Sequence, residues 1–476
     1  MKKVYFIWIW WIGISAVARY YNENWWQVFW SDKFGSELVE SLKNEWIGII
    51  VWEDEKRITN EFDLVIYTEA IPNTQVEIIK SRSLWIKTIS YPESLALIAN
   101  EKKLIAVSWS HGKSTTSSMI SIMLKNTDLN FTSVVWTLLK EFGNKNFYTR
   151  NTVIASNNEA IQKKEDNLVN GLLYTSQWQN DETNTYFVIE ACEYKRSFLK
   201  YTPFIWIITN IDLDHLDYYH DLTDYESAFK TFLDNIKSWW YAILNANCTS
   251  SMKLFNLRKD INYVIINNDS FLITHIDWKK ETINFPKISL QVPGKHIEFD
   301  AKIAFVVWKI LNLEDKNILN SLENYTWVWR RSEIIWTTEN WNILMSDYWH
   351  HPTEISLTLD ALKQKNIDKK LFVVFQPHQY NRTLNLIEWF KDCFSSADKL
   401  IIPDIYESRD SFEDKEKINS KKLIELINHL NKIDWEWLEN TLKLIIDYDK
   451  KNPKSSIILL LWAWNVDDLR YKIKIN

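Results

Sequence analysis

Seven glycines in 476 residues constrain this chain more than any other feature. Glycine takes positive φ without steric cost, and tight turns, helix ends and phosphate-binding loops need such residues. The usual glycine share is roughly 7%. The chain also holds 27 tryptophans, and the two residues together restore that usual share of roughly 7%. Placement points the same way. The pairs Trp10-Trp11, Trp25-Trp26 and Trp239-Trp240, and the forms Trp327-Val328-Trp329 and Trp462-Ala463-Trp464, read as turn and loop glycines rather than aromatic positions spaced for a core. The expectation is that most printed tryptophans stand where glycine belongs, as when a UGA codon is translated as Trp but its source reads it as Gly. The literal alternative is a Trp-rich binding protein, for instance with a sugar-binding surface, or an inactive scaffold. A bulky side chain costs roughly 1–2 kcal/mol at each positive φ. Many such positions would exceed a typical total stability of about 5–15 kcal/mol.

The length predicts two to four domains with ample core. A net charge of −6 gives no basic face for nucleic acid. Three cysteines, Cys192, Cys248 and Cys393, form no zinc-ligand spacing and point to a reducing compartment, the cytoplasm. The N-terminus imitates a signal peptide, with Lys2-Lys3, an apolar run and Ala16-Val17-Ala18. Glycine at Trp8, Trp10 and Trp11 breaks that run into a strand and a turn. No segment is long and apolar enough to span a membrane.

Apolar runs alternating with helical stretches predict an α/β protein of three domains. The first, 1–98, has strands near Val4–Ile9, Gln27–Phe29, Ile47–Val51 and Leu64–Tyr67 and reads as a Rossmann-like unit. The second, 99–325, has strands at Leu104–Ser108, Tyr186–Glu190, Phe204–Asn210 and Tyr241–Leu244 and a helix at Ala301–Leu311, and reads as a P-loop ATP-binding unit. The third, 326–476, has strands at Ile343–Ser346, Leu371–Phe375, Lys399–Ile402 and Ser456–Leu461. Helices fall between them at about Thr353–Lys363 and Ser420–Asn431, and the unit again reads as Rossmann-like. The charge-rich stretch Glu407–Lys422 reads mostly as a solvated loop.

Five places carry chemistry. Trp8-Ile9-Trp10-Trp11-Ile12-Gly13 follows a strand and opens a helix, and becomes G-x-G-G-x-G when Trp is read as Gly. Such a turn brings backbone N–H groups to a diphosphate. Asp32, after the next strand, can accept from a ribose or base. Alone, this fits NAD, FAD and UDP-sugars alike. In the second place, Trp109-Ser110-His111-Gly112-Lys113-Ser114-Thr115 fits the short phosphate loop G-x-x-G-K-[ST] once Trp109 is glycine. Its backbone would cradle phosphates of ATP, Lys113 would neutralise them and the Ser114 hydroxyl would ligate Mg²⁺. Glu190, at a strand end, suits the same cation, whereas Glu193 reads as a solvated loop acid. His215 sits among carboxylates in Thr209-Asn210-Ile211-Asp212-Leu213-Asp214-His215 and suits a metal or phosphate role. In the last block Asp347-Tyr348-Trp349-His350-His351-Pro352 and Phe375-Gln376-Pro377-His378-Gln379-Tyr380-Asn381-Arg382 each follow a strand, where open α/β sheets bind ligands.

Taken in order, the Gly-rich turn, the short phosphate loop, Glu190-Ala-x-Glu193, Thr209-Asn-Ile-x-x-Asp214-His215 and the two C-terminal motifs resemble the Mur ligases of peptidoglycan synthesis. Within them they resemble the branch that adds L-alanine to UDP-N-acetylmuramate. The likeness runs from Val4 to about Arg470. Many of its identities need glycine at Trp8, Trp10, Trp11, Trp30, Trp109, Trp349, Trp462 and Trp464.

The resemblance implies an ATP- and Mg²⁺-dependent amide ligase. UDP would lie on Trp8–Gly13, Ser31-Asp32 and the segment from Thr68. ATP would lie on the phosphate loop, with His296 and Arg330 or Arg331 near the nucleotide. His215 would stand near a second Mg²⁺. His378 and Arg382 would reach the phosphates or the amino acid, and Tyr348 and His350 would shape the amino-acid pocket. After His296 the family shows two asparagines where Ile297 and Asp300 stand, so Asp300 would accept from the adenine amino group without offering a donor amide. Gln379 takes a place where some members have Arg, which puts that burden on Arg382. A relative that attaches a tripeptide to the same nucleotide would share most of these motifs.

Overall fold

The computed structural model describes all residues except 10–11, 33–36, 46–47, 52–53, 70, 109, 111, 151–184, 217, 327, 350, 408–409, 434–436, 462–465 and 476. Trp10, Trp11, Trp109, His111, His350, Trp462 and Trp464 therefore lie outside the described residues.

Three sheets follow one another along the chain. The first is β1 (Lys3–Ile7), β2 (Gln27–Asp32), β3 (Gly48–Val51), β4 (Leu64–Tyr67) and β5 (Lys87–Ser90), in the order β3-β2-β1-β4-β5. All its pairings are parallel. This 3-2-1-4-5 order is that of a Rossmann-like unit, whose ligands sit at strand C-termini beside the order reversal at β1. The N-terminal apolar run is β1 and the start of the helix Ile12–Glu23, both largely buried, so it is core.

The second sheet has nine strands. They are β6 (Lys103–Ser108), β7 (Phe131–Leu139), β8 (Lys145–Arg150), β9 (Tyr186–Glu190), β10 (Ile205–Ile208), β11 (Tyr241–Asn245), β12 (Asn262–Ile266), β13 (Ser270–Thr274) and β14 (Lys280–Asn284). Their order is β14-β13-β12-β11-β10-β6-β9-β7-β8. The middle is parallel and largely buried, and antiparallel hairpins close both edges. The helix Lys113–Lys125 follows β6 and packs on the helix Lys295–Ile310.

The third sheet is β15 (Glu333–Thr337), β16 (Ile343–Asp347), β17 (Lys370–Phe375), β18 (Lys399–Ile401), β19 (Lys432–Ile433) and β20 (Ser456–Leu461), in the order β15-β16-β20-β17-β18-β19. It is parallel apart from β15. Two local expectations change here. The helix from Ser420 ends at Leu426, well short of Asn431, because Ile427 turns to extended backbone. The stretch Glu407–Lys422 is not all loop: Ser411 caps a helix at Phe412–Lys417 by accepting the Asp414 N–H.

The backbone bears directly on the tryptophans. Trp8, Trp25, Trp85, Trp239, Trp278 and Trp341 all have φ between 60° and 73°, a region where a bulky residue is an outlier. Two of them end helices in the same way. Past the helix Val76–Ser83, the N–H of Ile86 donates to Ser81 O and that of Trp85 to Arg82 O. Past Ile12–Glu23, Trp26 N–H donates to Tyr21 O and Trp25 N–H to Asn22 O. This is the Schellman motif, whose left-handed residue is ordinarily glycine and sometimes asparagine. The helix Lys295–Ile310 ends in the same bonds with Asn312 in that place, at φ 54°.

Two hairpins repeat the point. Asp277-Trp278 turns β13 into β14, and Asn340-Trp341 turns β15 into β16. Asp-Gly and Asn-Gly are the strongest short hairpin signals. In addition, the buried indole N–H groups of Trp30, Trp308 and Trp349 donate to nothing among the described residues. An orphaned buried donor costs about 1–3 kcal/mol.

Candidate active site

The central site starts at the end of β6. Gly112, at φ 87°, lets the loop turn into the helix Lys113–Lys125. Ser110 pins the loop from the other side: its N–H donates to Asn210 Oδ1 at 3.2 Å and its hydroxyl to Asp212 O at 2.6 Å. The phosphate loop is thereby tied to the segment after β10 that carries His215.

Two carboxylates from the end of β9 face the loop. The Ser114 hydroxyl donates to Glu190 Oε2 at 2.9 Å, and Trp136 N–H donates to Glu190 Oε1. Burial pushes the Glu190 carboxyl above its usual range, against the pull of those bonds and of Arg331. Glu193 is not the solvated acid expected. It is fully buried and pairs with Lys113 Nζ at 3.1 Å. Burial works against both charges, yet each holds the other ionised: Lys113 lies above its usual pKa and Glu193 below. Asp214, Glu193 and His215 bring one ligand atom each within 4.8 Å of one another. His215 Nε2 stands 3.3 Å from Glu193 Oε1.

The C-terminal domain contributes two arginines. Arg331 Nη2 donates to the Ser114 hydroxyl at 3.2 Å, and its guanidinium lies over Trp349 at 4.7 Å and Tyr348 at 5.4 Å. Arg382 Nη2 pairs with Asp214 Oδ1 at 3.0 Å. Arg330, the alternative to Arg331, faces away: its Nε pairs with buried Asp467 at 3.1 Å. His378 stacks on Tyr406, 5.8 Å between ring centroids.

Behind the loop helix, Thr116 Oγ donates to Asp300 Oδ1 at 2.9 Å, and burial raises Asp300 well above a normal carboxyl. Thr115 is buried beside it. His296 opens the neighbouring helix after Gly294, where a Cβ would come within 2.8 Å of the imidazole. Burial lowers the His296 pKa to about 4, so the ring is neutral at pH 7. Its Nδ1 has no hydrogen-bond partner among the described residues.

A second cluster lies at the C-terminal ends of β1, β2 and β4. The N–H groups of Trp8 and Ile9 donate to Ser31 O at 3.0 and 3.3 Å. Ser31 Oγ donates to Glu77 at 2.8 Å, and Asp32 and Thr68 are buried alongside. Ile12 and Gly13 begin the helix that follows the turn.

The phosphate loop, Glu190, His215, Arg331 and Arg382 thus come together, while Trp8, Gly13, Ser31, Asp32 and Thr68 form a separate group. Three participants escaped the sequence reading: Glu193, Asp214 and Thr116. For Glu193 the signal was present, since Glu190-Ala-Cys-Glu193 places one carboxyl on the last residue of a strand and the other three residues on.

Fold and site define a three-domain α/β protein with a phosphate-loop centre where its central and C-terminal domains meet. The Mur ligase middle domain profile matches residues 107–304. A UDP-N-acetylmuramate–L-alanine ligase of Clostridium acetobutylicum is 35% identical over 439 residues, 90% of this chain and 88% of that protein. One of Hydrogenobaculum is 30% identical, covering 98% and 96%. Among solved structures, the UDP-N-acetylmuramate–alanine ligase of Thermotoga maritima has TM-score 0.73 at 21% identity, covering 99% and 98%. A murein peptide ligase of Psychrobacter arcticus has TM-score 0.63 at 18% identity, covering 97% and 96%. The chain belongs to the Mur ligase family.

Proposed function

We propose that this chain is an ATP-dependent ligase that joins L-alanine to UDP-N-acetylmuramate in peptidoglycan precursor synthesis, in the cytoplasm. Its units would be 1–98 for UDP, 99–325 for ATP, and 326–476, which closes over both. The observation that carries the reading is the placing of Lys113 and Arg331 beside Ser114 and of Arg382 on Asp214 in the neighbouring segment, joined to relatives that carry this activity by name. No helix among the described residues is long and apolar enough to cross a membrane.

A carboxylate is a poor electrophile. Transfer of a γ-phosphoryl group to the muramate carboxylate gives an acyl phosphate, the alanine amine attacks, and phosphate leaves from the tetrahedral intermediate. The chain's part is to position and to neutralise charge. Lys113 would leave Glu193 for the phosphates, Arg331 already lies beside Ser114, and Arg382 would meet the transferred group from the C-terminal side. Ser114 and Glu190 are hard oxygen donors at 2.9 Å from each other and fit Mg²⁺, and Glu193 and Asp214 offer carboxylate oxygens beside the His215 imidazole nitrogen for a second ion. Magnesium bound there would neutralise phosphate charge.

Phosphate release is the test, with UDP-N-acetylmuramate and either L-alanine or the tripeptide, on the chain carrying glycine at the tryptophan positions named above. Release that requires L-alanine supports the reading. Release only with the tripeptide replaces it with the recycling reaction, and release with neither rejects both.

A further inference from the structure

Asp214 belongs to the set that could hold a cation with Glu193 and His215, yet it also has a partner which that set does not explain. Enclosed beside a phosphate loop, it would repel an incoming polyanion unless cations held it. One such cation comes from another domain. Arg382 lies in the short helix Tyr380–Asn385 after β17, and its Nη2 meets Asp214 Oδ1 at 3.0 Å, with the side chains only 14% and 7% exposed.

The same Oδ1 accepts the His215 backbone N–H at 2.6 Å, where His215 has φ 55°. His215 Nε2 then approaches Glu193, which pairs with Lys113. An alternating chain of polar contacts therefore runs from the C-terminal domain to the phosphate-loop lysine: Arg382, Asp214, His215, Glu193, Lys113.

We propose that Asp214 is a positioning residue, which seats the C-terminal domain over the phosphate loop by holding Arg382. This rests on the ligase reading above. A guanidinium already held by a carboxylate has less rotamer freedom left to lose when the acyl phosphate forms beside it. The seat also keeps water out. When it loosens, water adds to the acyl carbon, phosphate leaves with the bonding electrons, and the muramate carboxylate returns with one ATP spent and no amide made.

Asp214→Asn isolates the charge, because the amide oxygen can still accept the His215 N–H. Phosphate and amide product are measured together in the full chain with ATP, UDP-N-acetylmuramate and L-alanine. Amide kcat should fall about tenfold or more, while KM for the UDP-sugar, bound on a different domain, stays within about twofold. The phosphate-to-amide ratio should rise from near one to about two or more, and Asp214→Glu should restore most of the coupling.

A ratio that stays near one overturns the proposal, whether or not kcat falls. If Asp214→Asn does not fold, Arg382→Gln breaks the pair from the other side. Small-angle scattering should then show a larger radius of gyration than the parent's, and an unchanged radius overturns the proposal. A parent chain that makes no amide sinks the ligase reading alone, since the scattering comparison still tests the seat.

Discussion

Trp85→Gly should stabilise this protein, although it deletes the largest side chain in favour of none. Trp85 is 95% exposed, so its indole contributes almost no burial. Its φ of 60° puts Cβ against the neighbouring carbonyl, at roughly 1–2 kcal/mol. Glycine removes that strain but adds freedom to the unfolded chain, which returns about 0.4–1 kcal/mol. The net gain is about 0.5–1 kcal/mol, a rise in Tm on the order of 2 °C. Trp85→Ala is the control, because it removes the indole and keeps Cβ, and it should stay within about 0.5 kcal/mol of the parent. Denaturant titration of the three proteins side by side gives the answer. An alanine variant as stable as the glycine variant refutes the backbone argument. Trp25, Trp239, Trp278 and Trp341 are likewise at least half exposed at positive φ. They end or turn different elements, so the five changes should add to about 2.5–5 kcal/mol. Peptide mass spectrometry of protein from its native source should find glycine at these positions, and intact tryptophan there would end the recoding reading.

Lys113→Ala should lower turnover on the order of 10³-fold while leaving UDP-sugar binding intact, as measured by phosphate release and calorimetry. Substantial residual activity would remove the phosphate-loop assignment. Arg331→Ala should cut kcat by about 10²-fold or more, whereas Arg330→Ala should mainly lower the melting temperature, because Arg330 serves buried Asp467. The reverse pattern would exchange their roles. Burial raises Asp347 to about 7 in spite of the Ser332 N–H and hydroxyl it accepts. The folded state therefore binds more protons than the unfolded state between about pH 4 and 7, and Asp347 favours folding below that window and less as pH rises through it. Asp347→Asn should flatten the fall in stability across this range, and a denaturation series that keeps the parent's slope would show that another group titrates.

Regular strands with continuous apolar runs were legible. Leu64–Tyr67, Tyr186–Glu190 and Ser456–Leu461 coincide with the observed β4, β9 and β20. Two of the edge hairpins were not, because their turns are spelled with tryptophan: Asp277-Trp278 and Asn340-Trp341 give no turn signal until they are read as Asp-Gly and Asn-Gly. In the site, each motif marked its own loop, but contacts between motifs depend on tertiary placement. The spacing Glu190-Ala-Cys-Glu193 put Glu193 near the same strand end, but its partners Lys113 and His215 come from other segments, so its pairing was not legible. The same holds for Asp214, whose partner lies 168 residues away. Arg330 and Arg331 are adjacent, and only the fold decides which of them turns toward the loop.

The edge strand β15 has a consequence for handling the protein. It lies at the end of its sheet, with Ile334 and Trp336 on its exposed face. A sheet edge that carries large apolar groups invites strand-to-strand aggregation. Glycine at Trp336 would remove the larger of the two and leave a shorter sticky margin. The printed chain should therefore be the less soluble of the two versions, precipitating at concentrations where its glycine counterpart stays dispersed.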